Sequence, residues 1–233
     1  AHMYKKADFI ITPSEYSKQL IQSYGVKTPI VAVSNGIDLS KYKKDPKKEE
    51  VFRKHFNIQE GEKVVLCAGL YFRRKGIEDF VEVARRMPDV RFIWLGSINK
   101  WLIPRAIRRL VEKDHPSNVE FPGYFKGAVF QGAMTGADAF FFPSYEETEG
   151  IVVLEALAAH QHVVLRDIPV YHGWVDQKSA ELCHSVDEFV DSLEKVLSGQ
   201  VDKRDAGDRV AQSRSIDLVA DQLVKAYQQV LEM

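Results

Sequence analysis

The chain has 233 residues, 45% of them hydrophobic, enough to bury one substantial core alone or with a fragment of a second. Its 32 Lys and Arg almost balance its 33 Asp and Glu, and the formal charge of -1 excludes the overall basic field of a dedicated nucleic-acid binder. Neither of the two cysteines, Cys67 and Cys183, has a second cysteine close by in sequence, which argues against a zinc site and a disulfide framework.

Ala1, His2 and Met3 read as a cloning remnant and are set aside. Residues 8–12 have the pattern of a strand and 14–24 that of a helix, and 29–33 begin a new strand. Residues 4–28 are therefore expected to be the remnant of a preceding domain, and 29–233 the domain that carries the site. The stretch from Lys41 to Lys54 is dense in charge and contains Pro46, which fits a solvated loop entering a helix. Residues 64–69 form a fully buried strand, and after a glycine-bounded loop Ile77, Phe80, Val81, Ala84 and Met87 recur at helical spacing. A strand over 90–96 follows, then Ile103, Ile107, Leu110 and Val111 as the apolar stripe of a helix that exposes Arg105, Arg108 and Arg109. Residues 119–121 give a short third strand, 139–142 a fourth ended by Pro143, and 151–159 the helix after it. Residues 162–165 and 180–183 supply two more strands. Ser185 with Glu188 is a capping-box signature for the next helix, and a last helix runs from about Ser215 to Leu231. Strands alternating with helices in this order specify an α/β fold, a Rossmann-like parallel sheet with helices on both faces. The longest apolar runs fall far short of the ~20 residues of a spanning helix, and with no secretory leader visible the expected location is cytoplasmic.

Ligands of an open parallel sheet bind at the carboxyl ends of its strands, where loops meet helix N-termini. Two loops there carry chemistry. Gly69-Leu70-Tyr71-Phe72-Arg73-Arg74-Lys75-Gly76 puts three cations where backbone N–H groups and the helix dipole already favour an anion, although a solvated basic turn has the same composition. It lacks the G-x-G-x-x-G spacing and the G-K-[ST] ending, which disfavours nicotinamide and P-loop readings. The second loop, Pro143 to Gly150, brings Glu146, Glu147 and Glu149 to the start of a helix that carries Glu155 about one turn in. Carboxylates there accept hydrogen bonds from sugar hydroxyls, while the helix N-terminus faces a diphosphate.

The spacing Glu147-x7-Glu155 within P-S-Y-E-E-T-E-G-I-V-V-L-E-A-L-A resembles the E-x7-E signature of family 4 retaining glycosyltransferases. Arg73-Arg74-Lys75-Gly76 resembles their phosphate-contacting loop, and Ser34-Asn35-Gly36-Ile37-Asp38 the segment that opens their C-terminal domain. The resemblance implies the C-terminal, nucleotide-sugar-binding half of a GT-B enzyme. In it Glu155 binds the ribose hydroxyls, Glu147 the donor-sugar hydroxyls, and Lys75 with Arg73 or Arg74 the diphosphate. The backbone of Gly150, Ile151 and Val152 adds N–H donors, and Tyr124 and Phe125 in the loop 123–126 lie where the base is contacted. Leu70 departs from the pattern, because many members have arginine there.

The stretches G-L-Y-F-R-R-K-G-I-E-D-F and R-D-I-P-V-Y-H-G-W-V are most similar to glycolipid-forming enzymes of Gram-positive bacteria, which transfer glucose or galactose to diacylglycerol or glucosyl-diacylglycerol. The implied donor is UDP-glucose or UDP-galactose. No metal or other cofactor is implied, because cationic side chains and helix dipoles stabilise the leaving diphosphate and no D-x-D dipeptide stands near a strand end. Glu147 as a nucleophile remains a second route beside Glu147 as a sugar-orienting group. The implied partners are the N-terminal domain of the same protein, without which no turnover is expected, and an anionic membrane surface. That surface would be met by the 41–54 segment or by the basic, amphipathic stretch from Lys100 to Arg109. Three rival readings remain: a transferase with a polysaccharide or other non-lipid acceptor, a nucleotide-sugar epimerase, and a nucleotide-sugar-binding module without activity.

Overall fold

The computed structural model describes residues 4–232, with Lys5 and Lys100 as backbone only; the presumed cloning remnant, residues 1–3, lies outside the described residues. The chain runs η1 (Tyr4–Lys6), β1 (Ile10–Thr12), α1 (Glu15–Ser23), β2 (Ile30–Ala32), η2 (Leu39–Tyr42), α2 (Pro46–His55), β3 (Val64–Ala68), η3 (Arg73–Lys75), α3 (Ile77–Arg86) and β4 (Arg91–Leu95). It continues η4 (Lys100–Leu102), α4 (Arg105–Glu112), β5 (Val119–Gly123), α5 (Gly127–Gly136), β6 (Ala139–Phe142), α6 (Ile151–Ala158) and β7 (Val163–Arg166). Last come η5 (Pro169–Tyr171), β8 (Glu181–Cys183), α7 (Val186–Leu197), α8 (Arg204–Gln212) and α9 (Ile216–Leu231).

Six strands form one parallel sheet in the order β5-β4-β3-β6-β7-β8. Numbered within the sheet this is 3-2-1-4-5-6, the doubly wound order, and its direction reverses between β3 and β6. Every residue of these two central strands is buried, as a sheet covered on both faces requires. In one layer α3 contacts both α4 and α7; in the other the contacts run α2 to α5, α5 to α6 and α6 to α8. Phe80 of α3 packs on Phe92, Trp94 and Phe141, with ring centroids 5.0–5.8 Å apart, which joins helix to sheet across the switch point.

The remaining strands, β1 and β2, pair in parallel with each other and stand apart from the large sheet. The strand expected to open the site-bearing domain is thus hydrogen-bonded to the strand of the segment read as the remnant of the preceding one. Further on, the backbone of Ile37 bridges to the loop before α9: its N–H donates to Arg214 O at 3.0 Å and its carbonyl accepts from Ile216 N at 3.0 Å.

Two helices escape the sequence pattern. α5 contains glycines at 127, 132 and 136, ordinarily helix-weakening residues. Here they admit α2: a Cβ on Gly132 would lie 2.0 Å from Lys48 O, so only glycine permits this backbone-to-backbone approach. α8 is polar and short, and Gly207 seats it on Leu157. The capping box at Ser185 is half as expected: Ser185 Oγ accepts from Glu188 N at 3.2 Å, but the Glu188 carboxylate reaches His184 N at 2.8 Å, one residue short of the reciprocal bond.

Candidate functional site

The loops after β3 and β6 emerge side by side at the switch point and are tied together. Tyr145 N donates to Arg74 O at 2.8 Å, and Ser144 Oγ to the same carbonyl at 3.3 Å. Gly76 sits at φ +77°, a left-handed conformation that side chains resist, and a Cβ there would come within 2.2 Å of Pro143 O. The junction of the two loops therefore dictates glycine at this position. A second brace holds the far side: Tyr145 Oη donates to Asp79 Oδ2 at 2.6 Å, the Arg166 guanidinium bonds the same carboxylate, and Arg166 lies 4.0 Å over the Tyr145 ring.

Within this frame Lys75 and Glu147 meet. The ammonium bonds Glu147 Oε1, both side chains are almost out of solvent, and Lys75 also stands 5.5 Å over the Phe142 ring. Arg74 donates to Glu146 O at 3.1 Å, and with Lys75 and Glu147 it lines a cavity of about 620 Å³ walled by Tyr16 and Leu20 of α1. Arg73 diverges from them. Its guanidinium is exposed and bonded to Glu78 at 2.8 Å, and it lines neither this cavity nor the next.

A second cavity, about 370 Å³, opens over the ends of β3 and β4 and takes in Gly69, Leu70, Tyr124, Phe125, Val152 and Glu155. Its walls are mostly apolar, with Glu155 at one end. The Glu155 carboxylate accepts from Tyr42 Oη at 2.5 Å, and burial raises its pKa, an effect the Tyr42 bond partly offsets. Burial and the neighbouring carboxylate push the Tyr42 hydroxyl far upward, so it stays the donor. Gly150, at φ +91°, leads from Glu147 to α6; a Cβ there would press on the Tyr171 ring at 3.0 Å. Ile151 turns its side chain outward, whereas Val152 faces the cavity. The residues expected to act together thus lie around one switch point but in two hollows that share no lining residue: Glu155, Val152, Tyr124 and Phe125 in one, Lys75, Arg74 and Glu147 in the other.

Two structural partners were not legible beforehand. Tyr42, in a charged stretch with no motif, holds Glu155. Glu149 is 1% exposed and accepts from the Ser34 hydroxyl, from Asn35 N at 3.0 Å, from Asn35 Nδ2 at 2.6 Å and from Arg214 at 3.3 Å. The loop is thereby locked to the Ser34-Asn35-Gly36 segment, which the sequence signalled only as a separate motif.

A family model described as glycosyl transferases group 1 matches residues 48–213. The processive diacylglycerol alpha-glucosyltransferase of Acholeplasma laidlawii is 50% identical over 235 residues, covering 100% of this chain and 70% of that protein. The alpha-galactosylglucosyldiacylglycerol synthase of Streptococcus pneumoniae is 25% identical over 165 residues, covering 70% of this chain but 44% of that protein. Among solved structures, Anabaena HepE in complex with UDP-glucose superposes with a TM-score of 0.86 at 16% identity, over 98% of this chain and 66% of HepE.

Proposed function

Because the chain belongs to the group 1 glycosyl transferases, a family of glycosyltransferase enzymes, we propose that it binds the nucleotide-sugar donor of a metal-independent, retaining transferase that moves glucose or galactose from UDP to a membrane glycolipid. The observation that carries this reading is the pairing of Lys75 with Glu147 across the switch point, next to an apolar cavity closed by Glu155. A nucleoside fits that cavity with its ribose hydroxyls on the Glu155 carboxylate and its base against Tyr124 and Phe125. The diphosphate then lies across the loops toward Lys75 and Arg74, with N–H donors from Gly150 to Val152, and the sugar reaches Glu147.

In transfer, the bond from the anomeric carbon to the diphosphate oxygen breaks and a bond to the acceptor hydroxyl oxygen forms, while the hydroxyl proton leaves with the departing phosphate. Lys75 and Arg74 stabilise the charge that develops on the leaving group. Arg73 joins them only by leaving Glu78. Glu147 orients the sugar hydroxyls in this scheme.

A lipid acceptor, diacylglycerol or a glycolipid built on it, is supported by the names of the 50% identical diacylglycerol alpha-glucosyltransferase and of the pneumococcal alpha-galactosylglucosyldiacylglycerol synthase. Residues 4–28 are read as the end of an acceptor-binding domain, residues 29–233 as the donor domain, and the cytoplasmic face of a membrane as the place of work. No described helix is long and apolar enough to cross a membrane, so contact with lipid rests on surface residues. Calorimetry of the chain against UDP, UDP-glucose, UDP-galactose and GDP-mannose tests the donor reading. Saturable binding of UDP and of one UDP-hexose, with none of GDP-mannose, is expected; no binding of any nucleotide removes the reading.

A further inference from the structure

Tyr171, the last residue of η5, carries a hydroxyl that the donor reading does not use. The residue is fully buried, and its Oη has no hydrogen-bond partner. The ring is held in place. Tyr171 N donates to Ile168 O at 3.0 Å, the Trp174 ring meets it edge-on at 5.7 Å, and Trp174 is fixed in turn by a bond from Nε1 to Val170 O at 2.7 Å. Phenylalanine would pack here without stranding a hydroxyl, which costs about 1–3 kcal/mol when left unpaired, and native folds rarely leave one so.

Its surroundings connect the hydroxyl to Glu147. Ile168, Pro169 and Val170, the three residues before it, line the hollow that holds Lys75, Arg74 and Glu147, so Tyr171 is rooted in the wall of that hollow. It also abuts the turn that carries Glu147: a Cβ on Gly150 would lie 3.0 Å from its ring and 3.3 Å from Oη. Burial above all keeps the phenol protonated, and the nearby Glu147 carboxylate adds to the effect; the Cys67 thiol, the other titratable group near it, is itself buried and neutral. Oη is therefore an unspent donor. Among the described residues the Glu147 carboxylate has Lys75 as its only hydrogen-bond partner. In the donor reading the diphosphate draws the Lys75 ammonium away, and a carboxylate almost out of solvent then needs another donor. We propose that Tyr171 is a positioning residue for Glu147: in the donor-bound state its hydroxyl takes over the carboxylate that Lys75 releases and holds it toward the sugar. Tyr171 touches no ligand and acts through Glu147 alone. The inference rests on the donor reading.

The test is calorimetry of the whole chain and of Tyr171→Phe against UDP, UDP-glucose and UDP-galactose, with thermal unfolding of both proteins free of ligand. Tyr171→Phe should leave UDP affinity unchanged and weaken the UDP-hexose that the parent binds by roughly tenfold, the loss of one hydrogen bond to a charged group. In a Glu147→Ala background, where the hydroxyl has no carboxylate to hold, the same substitution should change neither affinity. The ligand-free thermal midpoint should stay level or rise, because an unpaired hydroxyl adds nothing to the free fold. The inference is overturned, with the donor reading intact, if Tyr171→Phe binds the UDP-hexose as the parent does. Equal weakening of UDP and UDP-hexose overturns it too, because the hydroxyl then supports the loop as a whole, and so does a lower ligand-free midpoint, which means the hydroxyl is already bonded in the free protein. A parent chain that binds no UDP-hexose removes the donor reading and this inference together.

Discussion

The ammonium of Lys75 is bonded to the carboxylate of Glu147, with 13% and 9% of the two side chains exposed, so the two charges expected to handle leaving group and sugar neutralise each other across the loops. Removing one partner leaves the other charge poorly solvated, which is costly even though the intact pair adds little net stability. A double-mutant cycle of Lys75→Met and Glu147→Gln, read by urea unfolding, is expected to give a coupling energy of about 1–3 kcal/mol. The same variants separate the roles in binding. Lys75→Met should weaken UDP by roughly tenfold or more, the loss of one charge-assisted contact. Glu147→Gln, by freeing Lys75, should leave UDP binding equal or tighter while abolishing any gain from the attached hexose. Calorimetry showing that Glu147→Gln costs as much UDP affinity as Lys75→Met would refute this division.

Glu155 gives a pH dependence of defined sign. Its pKa is raised above the ordinary value of 4.5 by burial, and only the carboxylate can accept from two ribose hydroxyls. UDP affinity should therefore be full at neutral pH and fall as pH drops through the raised pKa, before an exposed carboxylate would titrate. Stability runs the other way for this group. A raised folded-state pKa favours the protonated form, so its contribution is complete below 4.5 and is lost as pH rises through the folded value. Tyr42→Phe removes the bond that holds the pKa down, and should shift the midpoint of UDP binding to higher pH. An unshifted midpoint in calorimetry over this range would show that Glu155 does not titrate in the complex.

The legible part of this molecule is the part governed by local pattern. Buried strands such as 64–68 and 139–142 and the amphipathic α3 and α7 announce themselves by period, and the two loops by their charge beside glycine. What the sequence hid depends on partners distant in the chain. α5 keeps glycine at 132 because a side chain there would meet Lys48 O, and Tyr42 matters because Glu155 lies across from it; no local pattern carries either fact. Glu149 read as one of three acidic residues at a helix start, but it is the most deeply buried of them and is spent on Ser34, Asn35 and Arg214. In the cation loop the sequence does not separate Arg73 from Arg74, whereas in the fold Arg73 is bonded to Glu78, five residues on, and Arg74 to the carbonyl of Glu146.

Glu149 should behave as a structural clamp. It is buried, it gathers four donors from Ser34, Asn35 and Arg214, and Arg214 adjoins the bridge to α9. Glu149→Ala leaves three buried or half-buried donors of Ser34 and Asn35 and the half-buried Arg214 guanidinium without their acceptor, and about 2–4 kcal/mol of destabilisation is expected. Hydrogen exchange should show the loss first at residues 34–37 and 214–219, ahead of β3 and β6, because these segments open locally once the clamp is gone. Uniform acceleration over the whole sheet would mean that the clamp is not a local device.

Of the two basic stretches expected to meet lipid, the structure favours one. In α2 and the loop before it three of the seven cations are ion-paired among the described residues, Lys41–Asp38 at 3.4 Å, Lys48–Asp45 at 3.8 Å and Lys54–Glu50 at 2.5 Å, and none of the seven stands over an aromatic ring. Around η4 and α4, by contrast, Trp101 and Leu102 are 85% and 70% exposed beside Arg105, Arg108 and Arg109, with Arg108 over the Trp101 ring at 5.5 Å. Only Arg109 of these three arginines is ion-paired among the described residues, to Asp114 at 2.9 Å. An aromatic and an aliphatic side chain flanked by cations is the arrangement of an interfacial anchor, where each cation near an anionic surface contributes about 1 kcal/mol. Sedimentation with phosphatidylglycerol-rich vesicles is expected to show binding that weakens with salt, because exposed charges are screened within a Debye length. Arg105→Ala with Arg108→Ala should lower the partition coefficient by roughly tenfold or more, from the loss of two such cations. Trp101→Ala should lower it without changing the salt dependence. Substituting Lys47 and Lys48 instead should have little effect, and a larger loss there than at Arg105 and Arg108 would reassign the anchor to α2.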